Sequence, residues 1–436
     1  WRNSIFLNGT VRRDQFSQLN PDDNAVWYPS VGLSMVLTEV FELPSIFTFA
    51  KIRGSYAESG ADGGVGFNEL NQTFRLEGAT HQGASLGELN GNRVPNPNIA
   101  AFSSSEIEFG LDLRMFNNRL GIDFAYYLRT TEDEILGLNI SPTSGFNNTR
   151  INFAELQNQG VELLINGTPI QAGDFRWDVS FNMAYNISEA VNLGLDSEGN
   201  PVESIALDES RIRTGERIRH VLGERLGLVT GSTHMRIDGQ LVYDANGLPI
   251  EDPEFQILGE GRHPFSGGIT NEFFYKNFSL MALVDMRAGG SMFSGTNNLA
   301  YFFGFHEETL EGRESGITVS GVDMNGEALT VDIPAEEVDD YYQAIRGIPE
   351  YFVYDAGFGK LRELALGYQL PRSFLSTIGI QSAKFSVVGR NLAILWSDVP
   401  NIDPESGYTH GNRAQGLEFF AVPTTRNIGF NLSVTF

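Results

Sequence analysis

The chain has 436 residues, no cysteine and a net charge of -25 at pH 7. The lack of cysteine excludes disulfides, thiolate metal sites and cysteine nucleophiles. The acidic balance argues against nucleic acid as a partner, because a polyphosphate requires a basic face and Lys and Arg are not clustered here. We expect the acidic residues to lie in solvated loops; binding of divalent cations or of a basic partner surface is the alternative.

The composition favours strands over membrane helices. The chain contains 48 Gly, 32 Phe and 14 Tyr, yet only 41% of its residues are hydrophobic. No run approaches the ~18 apolar residues that a spanning helix needs, so any membrane residence must come from strands. The sequence starts at Trp1 without an initiator Met or a signal peptide, and we expect it to be a piece of a longer protein.

The first strands are predicted at residues 4–13, 27–37 and 49–59. The glycine-rich stretch 60–66 follows the third of them. A phosphate cradle would need a helix after such a stretch, and the pattern indicates none, so we expect a flexible loop.

The segment 106–129 is predicted to be a long amphipathic hairpin with its turn at 117–119. Apolar and polar residues alternate along both arms, which puts them on opposite faces. Over all the strands, the residues expected to face lipid are Leu111, Leu113, Ile122, Phe124, Phe181, Ile428 and Leu432. The residues expected to face the lumen are Asp112, Asp123, Glu162, Asp178 and Asn431.

Two more hairpins are predicted over residues 160–185 and 265–287, with turns at 172–174 and 276–277. The arms of the second hairpin are apolar on both faces in places, so the pattern constrains its register less. The remaining strands are predicted at 360–370, 383–392 and 427–436.

The number and length of these strands bear on the fold class. One alternating strand is as compatible with a soluble sandwich as with a membrane barrel. About twelve strands of about ten residues, roughly twice the ordinary strand length, fit a sandwich poorly. With Trp, Tyr and Phe near the strand ends, they favour an all-β fold, a transmembrane antiparallel β-barrel with long extracellular loops.

Connection lengths alternate between long and short, as in barrels with short periplasmic turns. With the C-terminus taken as periplasmic, the long loops all fall outside, at 14–26, 60–104, 132–156, 188–261, 288–353 and 393–423. The alternation holds only if 188–261 contains no spanning strand or an even number of them. We expect an outer insert there, with tight turns at Asp238-Gly239 and Asn246-Gly247.

Candidate metal ligands and catalytic groups lack a recognisable spacing. The histidines are His81, His220, His234, His263, His306 and His410; we expect solvated loop residues without a role. Segments 244–247 and 323–327 hold carboxylate and amide oxygens but not the ligand series of a calcium loop, so we expect Asx-Gly turns, with calcium as the alternative. We expect no cofactor and no enzyme, because no nucleophile, base and orienting group occur together.

Short motifs occur in a definite order along almost the whole chain. They are TVRRD at 10–14, YPSV at 28–31, KIRGSY at 51–56, YKNFSL at 275–280, YDAGF at 354–358, KLRELALGYQLP at 360–371, GRNL at 389–392, IDPE at 402–405 and PTTRNIGFNLSVTF at 423–436. Each motif alone is weak. Together they resemble the C-terminal part of SusC/RagA-type TonB-linked (TonB-dependent) outer-membrane transporters of Bacteroidota.

The resemblance implies a barrel of about 22 strands, of which this chain supplies the C-terminal strands without the plug domain and early strands. The strand at 4–13 would then pair on its other side with a segment outside this sequence. The implied partners are a SusD-like surface lipoprotein, the TonB complex through the missing N-terminal part, outer-membrane lipid and lipopolysaccharide, and the barrel assembly machinery. The implied C-terminal insertion signal is Phe430, Leu432, Val434 and Phe436.

The loop 288–353 combines aromatic and acidic residues. Its aromatic residues are Tyr301, Phe302, Phe303 and Phe305, and beside them lie Glu307, Glu308, Glu311 and Glu314. A solvated loop with an aromatic anchor is one interpretation. The functional alternative is that the aromatic residues contact the lipoprotein or stack on a sugar or peptide, because an exposed apolar cluster needs a cover.

Two functions of different classes follow. The first is TonB-driven import of a bulky nutrient, such as an oligosaccharide or oligopeptide, through a plugged barrel with a lipoprotein lid. The second is a structural or adhesive outer-membrane anchor, with a passive porin as a further option. A plug domain upstream would favour the first function.

Overall fold

The computed structural model describes residues 4–66, 69–196, 198–211, 216–375, 377, 379–408 and 414–436. The α-helices in this part of the chain are α1 (Leu37–Val40), α2 (Gly295–Phe302), α3 (Val338–Arg346) and α4 (Arg372–Leu375). Short 3-10 helices occur at Pro142–Ser144, Glu307–Leu310, Ala335–Glu337 and Pro349–Phe352. Among the described residues, no helix is long and apolar enough to cross a membrane.

Strands make up most of the remaining regular structure. In chain order they are β1 (Ile5–Gln15), β2 (Ala25–Val36), β3 (Phe47–Ala61), β4 (Phe74–His81), β5 (Ala84–Leu89), β6 (Arg93–Val94), β7 (Phe102–Met115), β8 (Leu120–Asn139), β9 (Asn148–Ala172), β10 (Phe175–Asn192), β11 (Ser204–Arg211), β12 (Arg217–Val221), β13 (Leu228–His234), β14 (Arg236–Ile237), β15 (Gln240–Leu241), β16 (Glu251–Glu260), β17 (Phe265–Tyr275), β18 (Phe278–Ala288), β19 (Ser291–Ser294), β20 (Ile317–Val322), β21 (Ala328–Ile333), β22 (Val353–Asp355), β23 (Phe358–Gln369), β24 (Ser382–Ser397), β25 (Leu417–Glu418) and β26 (Asn427–Thr435).

One large sheet carries the long strands. Its hydrogen-bonded order is β1-β2-β3-β7-β8-β9-β10-β17-β18-β23-β24-β26, and β6 pairs with β9 off this path. The path contains twelve strands within the described residues, and each predicted strand lies in one of them, so the predicted strands are confirmed. β1 and β26 are the two ends of the path. Pairing of β1 with a segment outside this sequence stays a prediction.

Several strands are longer than predicted. β9 has 25 residues, and β8 and β9 occupy most of the segment 132–156 that was expected to be a loop. The expectation was wrong there because an antiparallel hairpin continues as long as its backbone hydrogen bonds continue, and these bonds do not require an alternation of apolar and polar side chains.

The hairpin β7–β8 has the predicted facial alternation. Its register pairs Leu111 with Phe124 and Asp112 with Asp123, so apolar pairs and an acidic pair lie on opposite faces. The turn is formed by Asn117 and Asn118, at φ 56° and 65°, a left-handed conformation that Asn tolerates well. The pattern predicted both the faces and the turn.

The last strand exposes its apolar face. Phe430 and Leu432 are 73% and 63% exposed, and Phe385 of β24 stacks on Phe430 with ring centroids 6.1 Å apart. Val434 is partly exposed, and Phe436 follows the strand and is exposed. An apolar face without a protein cover is what a lipid-facing strand presents.

The insert at 188–261 forms separate sheets. Strands β11, β12, β13 and β16 make a four-stranded sheet, and β14 and β15 pair with each other. β10 pairs directly with β17, so in the described part of the insert no strand joins the main path. The insert therefore keeps the alternation of long and short connections intact. The predicted tight turn at Asp238-Gly239 is confirmed by φ values of 50° and 80°.

Contacts divide the chain into two compact units. The first unit comprises Trp1–Leu164, Asn186–Ile205 and Val221–Glu224. Its connections have a small apolar cluster of their own, formed by Leu19, Val65, Ile99 and Ile135. The hairpin β4–β5 pairs with no other strand among the described residues.

The second unit comprises Ile165–Tyr185, Ala206–His220 and Arg225–Phe436. Its connections fold together into what we call the cap, residues 216–220, 225–260, 291–355 and 414–418. The buried core of the cap is Ile218, Val229, Tyr243, Phe293, Tyr301, Val319, Ile333, Val338, Tyr342, Ile345, Phe352, Ala414 and Leu417. Long connections in this unit are therefore folded structure with an apolar core, and sequence patterning did not predict it.

Leu432→Arg in the full-length protein should lower the free energy of unfolding by ~2–4 kcal/mol, because a cation near the bilayer midplane loses its hydration. Asn431→Arg is the matched control, since Asn431 adjoins Leu432 in β26 and lies on the opposite face. Urea unfolding in lipid vesicles, followed by the electrophoretic shift of the folded barrel, measures both. A larger loss for the Asn431 variant would reverse the assignment of the faces.

Candidate functional site

Within the cap, the buried carboxylate of Glu418 binds the residues at the start of α2. Glu418 of β25 is 1% exposed and accepts hydrogen bonds from the hydroxyls of Ser294 (2.8 Å) and Thr296 (2.6 Å). Ser294 in turn accepts the backbone N–H of Asn297 at 3.1 Å and caps the helix. Negative charge at a helix N-terminus is stabilising, so Glu418 fixes where α2 begins.

Tyr301 lies in the core of the cap. Its ring meets Phe352 edge-on, with centroids 4.9 Å apart, and its hydroxyl donates to the carboxylate of Glu308. Burial, followed by the hydrogen bond to Glu308, raises the pKa of Tyr301 well above its usual value. Tyr301 is therefore a neutral donor inside the cap, and its side chain is not available as the surface contact that the sequence suggested.

The other three aromatic residues form an exposed surface, the aromatic patch (Phe302, Phe303 and Phe305). Phe303 is 56% exposed and Phe305 is 82% exposed. Their rings stack at 5.9 Å, and Phe302 meets Phe303 edge-on at 5.0 Å. Gly304 reverses the chain between them at φ 64°, a conformation that glycine adopts without strain. The structure thus brings together three of the four predicted contact residues.

The acidic run beside the patch is exposed, and one of its members is also bonded to the core of the cap. Glu308 is tied to Tyr301, and its carbonyl accepts the hydroxyl of Tyr342 at 2.8 Å. Glu307, Glu311 and Glu314 are exposed. The patch therefore has an acidic border in its own segment.

The expectation that the histidines are solvated is wrong for four of them. His220 and His234 are buried, as is His306, and His263 is half-buried. His81 is exposed as expected, and His410 lies outside the described residues. The buried rings replace water with fixed partners, which hydropathy patterning could not indicate.

Each of these four histidines has a hydrogen-bond partner, and His234 and His220 show how the rings are held. His234 contacts the hydroxyl of Tyr351 through Nδ1 (2.6 Å) and the carbonyl of Val242 through Nε2 (2.8 Å). His220 accepts the backbone N–H of Gly227 through Nδ1 at 3.2 Å. Burial, and then the positive charge of Arg262, lowers the pKa of His220 to about 4. His220 is thus neutral at neutral pH and acts as an acceptor.

The candidate calcium segments have the geometry of Asx turns. Asp244 Oδ1 accepts the backbone N–H groups of Asn246 and Leu248, both at 2.8 Å. Asp323 Oδ1 accepts those of Asn325 (2.8 Å) and Glu327 (2.9 Å). Each carboxylate serves its own turn. Among the described residues, no group of three or more His, Cys, Asp or Glu is arranged to hold a metal.

The glycine-rich loop also turns on its own carboxylate. Asp62 Oδ1 accepts the backbone N–H of Gly64 at 3.1 Å, and Val65 is buried in the apolar cluster of the first unit. Gly63 and Gly64 are at φ 61° and 66°. The described geometry gives the glycines a role in forming this turn.

A buried ion network fastens the described part of the connection 398–426 to strands β18 and β23 of the second unit. Lys360 of β23 pairs with Asp403 and, at 2.7 Å, with Glu405. Arg362 donates to Glu405 at 2.8 and 2.9 Å and also pairs with Asp285 of β18. The side chains of Lys360 and Asp403 are only 2% and 5% exposed. The IDPE motif therefore acts as an anchor, a role that spacing alone did not reveal.

The Asp403 carboxyl is held in its charged form. Burial alone would raise its pKa, but hydrogen bonds from Lys360 and Thr424 lower it to about 2. Thr424 donates both its hydroxyl and, at 3.0 Å, its backbone N–H. Asp403 therefore joins β23 to the segment that leads into the last strand.

The first unit carries a second charged cluster on the predicted lumen face. Arg53 of β3 donates to Asp112 (3.0 Å), Asp123 (3.2 Å) and Glu108 (3.2 Å). Lys51 also pairs with Asp112 at 3.3 Å. The cluster explains how Asp112 and Asp123 can lie opposite each other in the hairpin, because Arg53 contacts both carboxylates.

Comparison with known proteins assigns the family. The family model "TonB dependent receptor-like, beta-barrel" matches residues 2–244, more than half of the chain. The chain belongs to the TonB-dependent receptor family, whose members are outer-membrane β-barrels.

Relatives support this assignment. The chain is 28% identical over 459 residues to TonB-dependent receptor P3 of Formosa agariphila, covering 98% of this chain and 43% of that protein. It is 26% identical over 425 residues to TonB-dependent receptor SusC of Bacteroides thetaiotaomicron, covering 92% of this chain and 40% of that protein. The chain thus spans less than half the length of these relatives.

The fold matches that of a solved transporter. A structure described as the RagAB peptide transporter has a TM-score of 0.75 and 21% identity, and the match covers 99% of this chain and 46% of that one. The similarity to the SusC/RagA type that the sequence motifs indicated is confirmed, as is the β-barrel fold class.

Lys360→Met should free the connection 398–426, because it leaves the buried carboxylate of Asp403 without its cation, a change that costs ~3–5 kcal/mol. The expected result is rapid proteolytic cleavage within 398–426, mapped by mass spectrometry. Arg390→Met is the matched control, since Arg390 pairs with Glu363 at the surface and its side chain is 65% exposed; such a pair contributes only ~0–1 kcal/mol. Equal cleavage of the two variants would contradict the anchor role.

The cap should lose stability as the pH falls from about 6.5 to about 4. The lowered pKa of His220 means that the unfolded chain binds the proton first, so stability is complete above the unfolded pKa and falls as the pH decreases towards the folded one. The full effect would be about 3 kcal/mol at ~1.4 kcal/mol per pH unit. Hydrogen exchange of cap peptides, corrected for its intrinsic pH dependence, measures this.

His220→Asn is the test variant, because Asn keeps an acceptor for the N–H of Gly227 and does not titrate. It should reduce the acid sensitivity of the cap. His81→Asn, at an exposed position, should leave the sensitivity unchanged. Identical pH profiles for all three proteins would show that His220 does not control the cap.

Proposed function

We propose that the full-length protein imports a bulky nutrient, an oligosaccharide or an oligopeptide, across the outer membrane with energy from TonB, and that a SusD-like surface lipoprotein closes over it as a lid. The observation that carries the proposal is the exposed aromatic patch on a folded cap in a chain of this family. Phe303 and Phe305 are among the exposed large apolar side chains, and a contiguous exposed apolar cluster marks an interaction site.

The architecture of the cap supports a docking role. A connection that merely joined two strands would need only a few residues, whereas the cap has its own core and helix caps. That core holds the end of α2 in place, so the patch is a pre-organised surface. Binding to such a surface orders few side chains, which lowers the entropic cost of association.

The orientation of the barrel follows from the lengths of the connections. We place the C-terminus and the short turns, such as the one at Lys276, in the periplasm, and the cap outside the cell, since barrels of this kind have short periplasmic turns and long outer loops. Under this orientation the patch is accessible to a lipoprotein at the cell surface. The TonB complex would act through the N-terminal part that these residues do not include.

The alternative is a structural or adhesive anchor. It would use the same barrel and cap, but its aromatic patch would bind a surface and uptake would be independent of the patch. A porin would need no partner at all. We propose no enzymatic activity.

Phe303→Ser combined with Phe305→Ser in the full-length receptor should weaken co-purification of the lipoprotein and nutrient uptake together, while leaving barrel assembly intact. These point substitutions are cleaner than deletion of 301–314, which would also remove Tyr301 from the core. The substitutions cost little folding energy because both rings are exposed.

Met324→Ser is the matched control, since Met324 is an apolar cap residue that is 56% exposed and lies in the turn between β20 and β21. It should change neither lipoprotein binding nor uptake. If the double variant also left both unchanged, or if no lipoprotein accompanied the native receptor, the anchor would be the better explanation.

A further inference from the structure

Arg346 borders the aromatic patch at the end of α3. Its guanidinium lies over the ring of Phe302, 4.8 Å from the centroid. Its backbone carbonyl accepts the side-chain N–H of Asn298 at 2.8 Å, which joins α3 to α2. Both ends of the residue are therefore held next to the patch.

The guanidinium of Arg346 has no hydrogen-bond acceptor among the described residues. Its Nε is buried without a hydrogen-bond partner, and in the described part of the chain the side chain makes no hydrogen bond or ion pair. Two other arginines of the cap have carboxylate partners: Arg225 pairs with Glu260 (2.6 Å) and Arg236 with Glu350 (2.8 Å). Buried polar groups in proteins are normally hydrogen-bonded, so a guanidinium without an acceptor beside an exposed apolar patch points to a ligand.

We propose that Arg346 and the aromatic patch form one recognition surface, on which a carboxylate of the partner lipoprotein pairs with the guanidinium while apolar side chains cover Phe303 and Phe305. This inference rests on the proposed function, because it specifies the chemistry of the same partner. The two terminal nitrogens of the Arg346 guanidinium, unlike its Nε, are not among the buried atoms without a partner. A carboxylate can therefore approach them end-on, and its charge complements the guanidinium where the ring of Phe302 excludes water.

The surroundings favour a single carboxylate in an apolar setting over a polyanion. Glu307, Glu311 and Glu314 are exposed in the segment that follows the patch. These three charges would repel a densely anionic ligand such as lipid phosphates. One carboxylate flanked by apolar side chains avoids that repulsion, and basic residues at its edge would meet the acidic border.

The first measurement is the affinity of full-length receptor for the purified lipoprotein that accompanies it. Arg346→Gln should weaken binding at least roughly tenfold and should reduce its salt dependence, since a screened charge pair is lost. The control is Gln343→Glu, which makes the same change in net charge on α3, at an exposed residue that contacts Asp339. Equal weakening of the two variants would indicate a general field effect and overturn the pairing.

The second measurement locates the carboxylate. Arg346→Lys places an amine at this position, and a carbodiimide couples an amine only to a carboxylate in direct contact. The expected result is a cross-link, located by mass spectrometry, between the amine of this variant and an Asp or Glu of the lipoprotein. Gln343→Lys should give no such cross-link.

The outcomes separate this inference from the function on which it rests. If the double Phe303 and Phe305 variant loses the lipoprotein while Arg346→Gln does not and no cross-link forms, the carboxylate pairing is wrong and the lid remains. If neither variant affects lipoprotein binding, both are wrong. A cross-link to a second receptor chain would overturn the assignment of the partner.

Discussion

The buried pairing of Lys360 with Asp403 is the interaction on which the organisation of the second unit depends. A buried charge without its partner is costly, and here each charge finds its complement on another segment: Lys360 on a sheet strand, Asp403 and Glu405 on the connection that leads to β26. The network extends through Arg362 to the neighbouring strand β18. One side of the cap is built from the same connection, so the position of Leu417 and Glu418 depends on this anchor.

The cap converts long connections into a rigid platform. Its apolar core excludes water, Glu418 fixes the start of α2, and Tyr301 holds the far end through Glu308. The contrast between Tyr301 and its neighbour Phe302 follows from helix geometry, because consecutive residues are rotated by about 100°. One side chain therefore stabilises the cap while the next is presented to a partner, and this division makes the aromatic patch a defined surface.

The strands could be predicted from sequence because their signal is local: alternation with a period of two needs only adjacent residues. The turn at Asn117 and Asn118 was predictable for the same reason. The cap was not, since its core joins Ile218, Phe293 and Leu417 across long separations, and short polar elements leave no periodic signal. Motifs such as IDPE indicated the family, but the pairing of Asp403 with Lys360 depends on the fold. Buried histidines were missed because a ring and its partner meet only in three dimensions.

The bond between Ser294 and Glu418 has a consequence for biogenesis. These residues are 124 positions apart, and β19 and β25 run parallel. Bringing them together therefore has a loop-closure entropy cost, and contacts between residues close in sequence do not offset it in advance. The cap cannot reach its final form until β25, in the connection between β24 and β26, has been delivered. A chain that is cut after β24 would lack Leu417 and Glu418, so Ser294 and Thr296 would lose their carboxylate acceptor and part of the apolar core would be uncovered. A finished docking platform therefore requires a receptor whose chain has been delivered through β25.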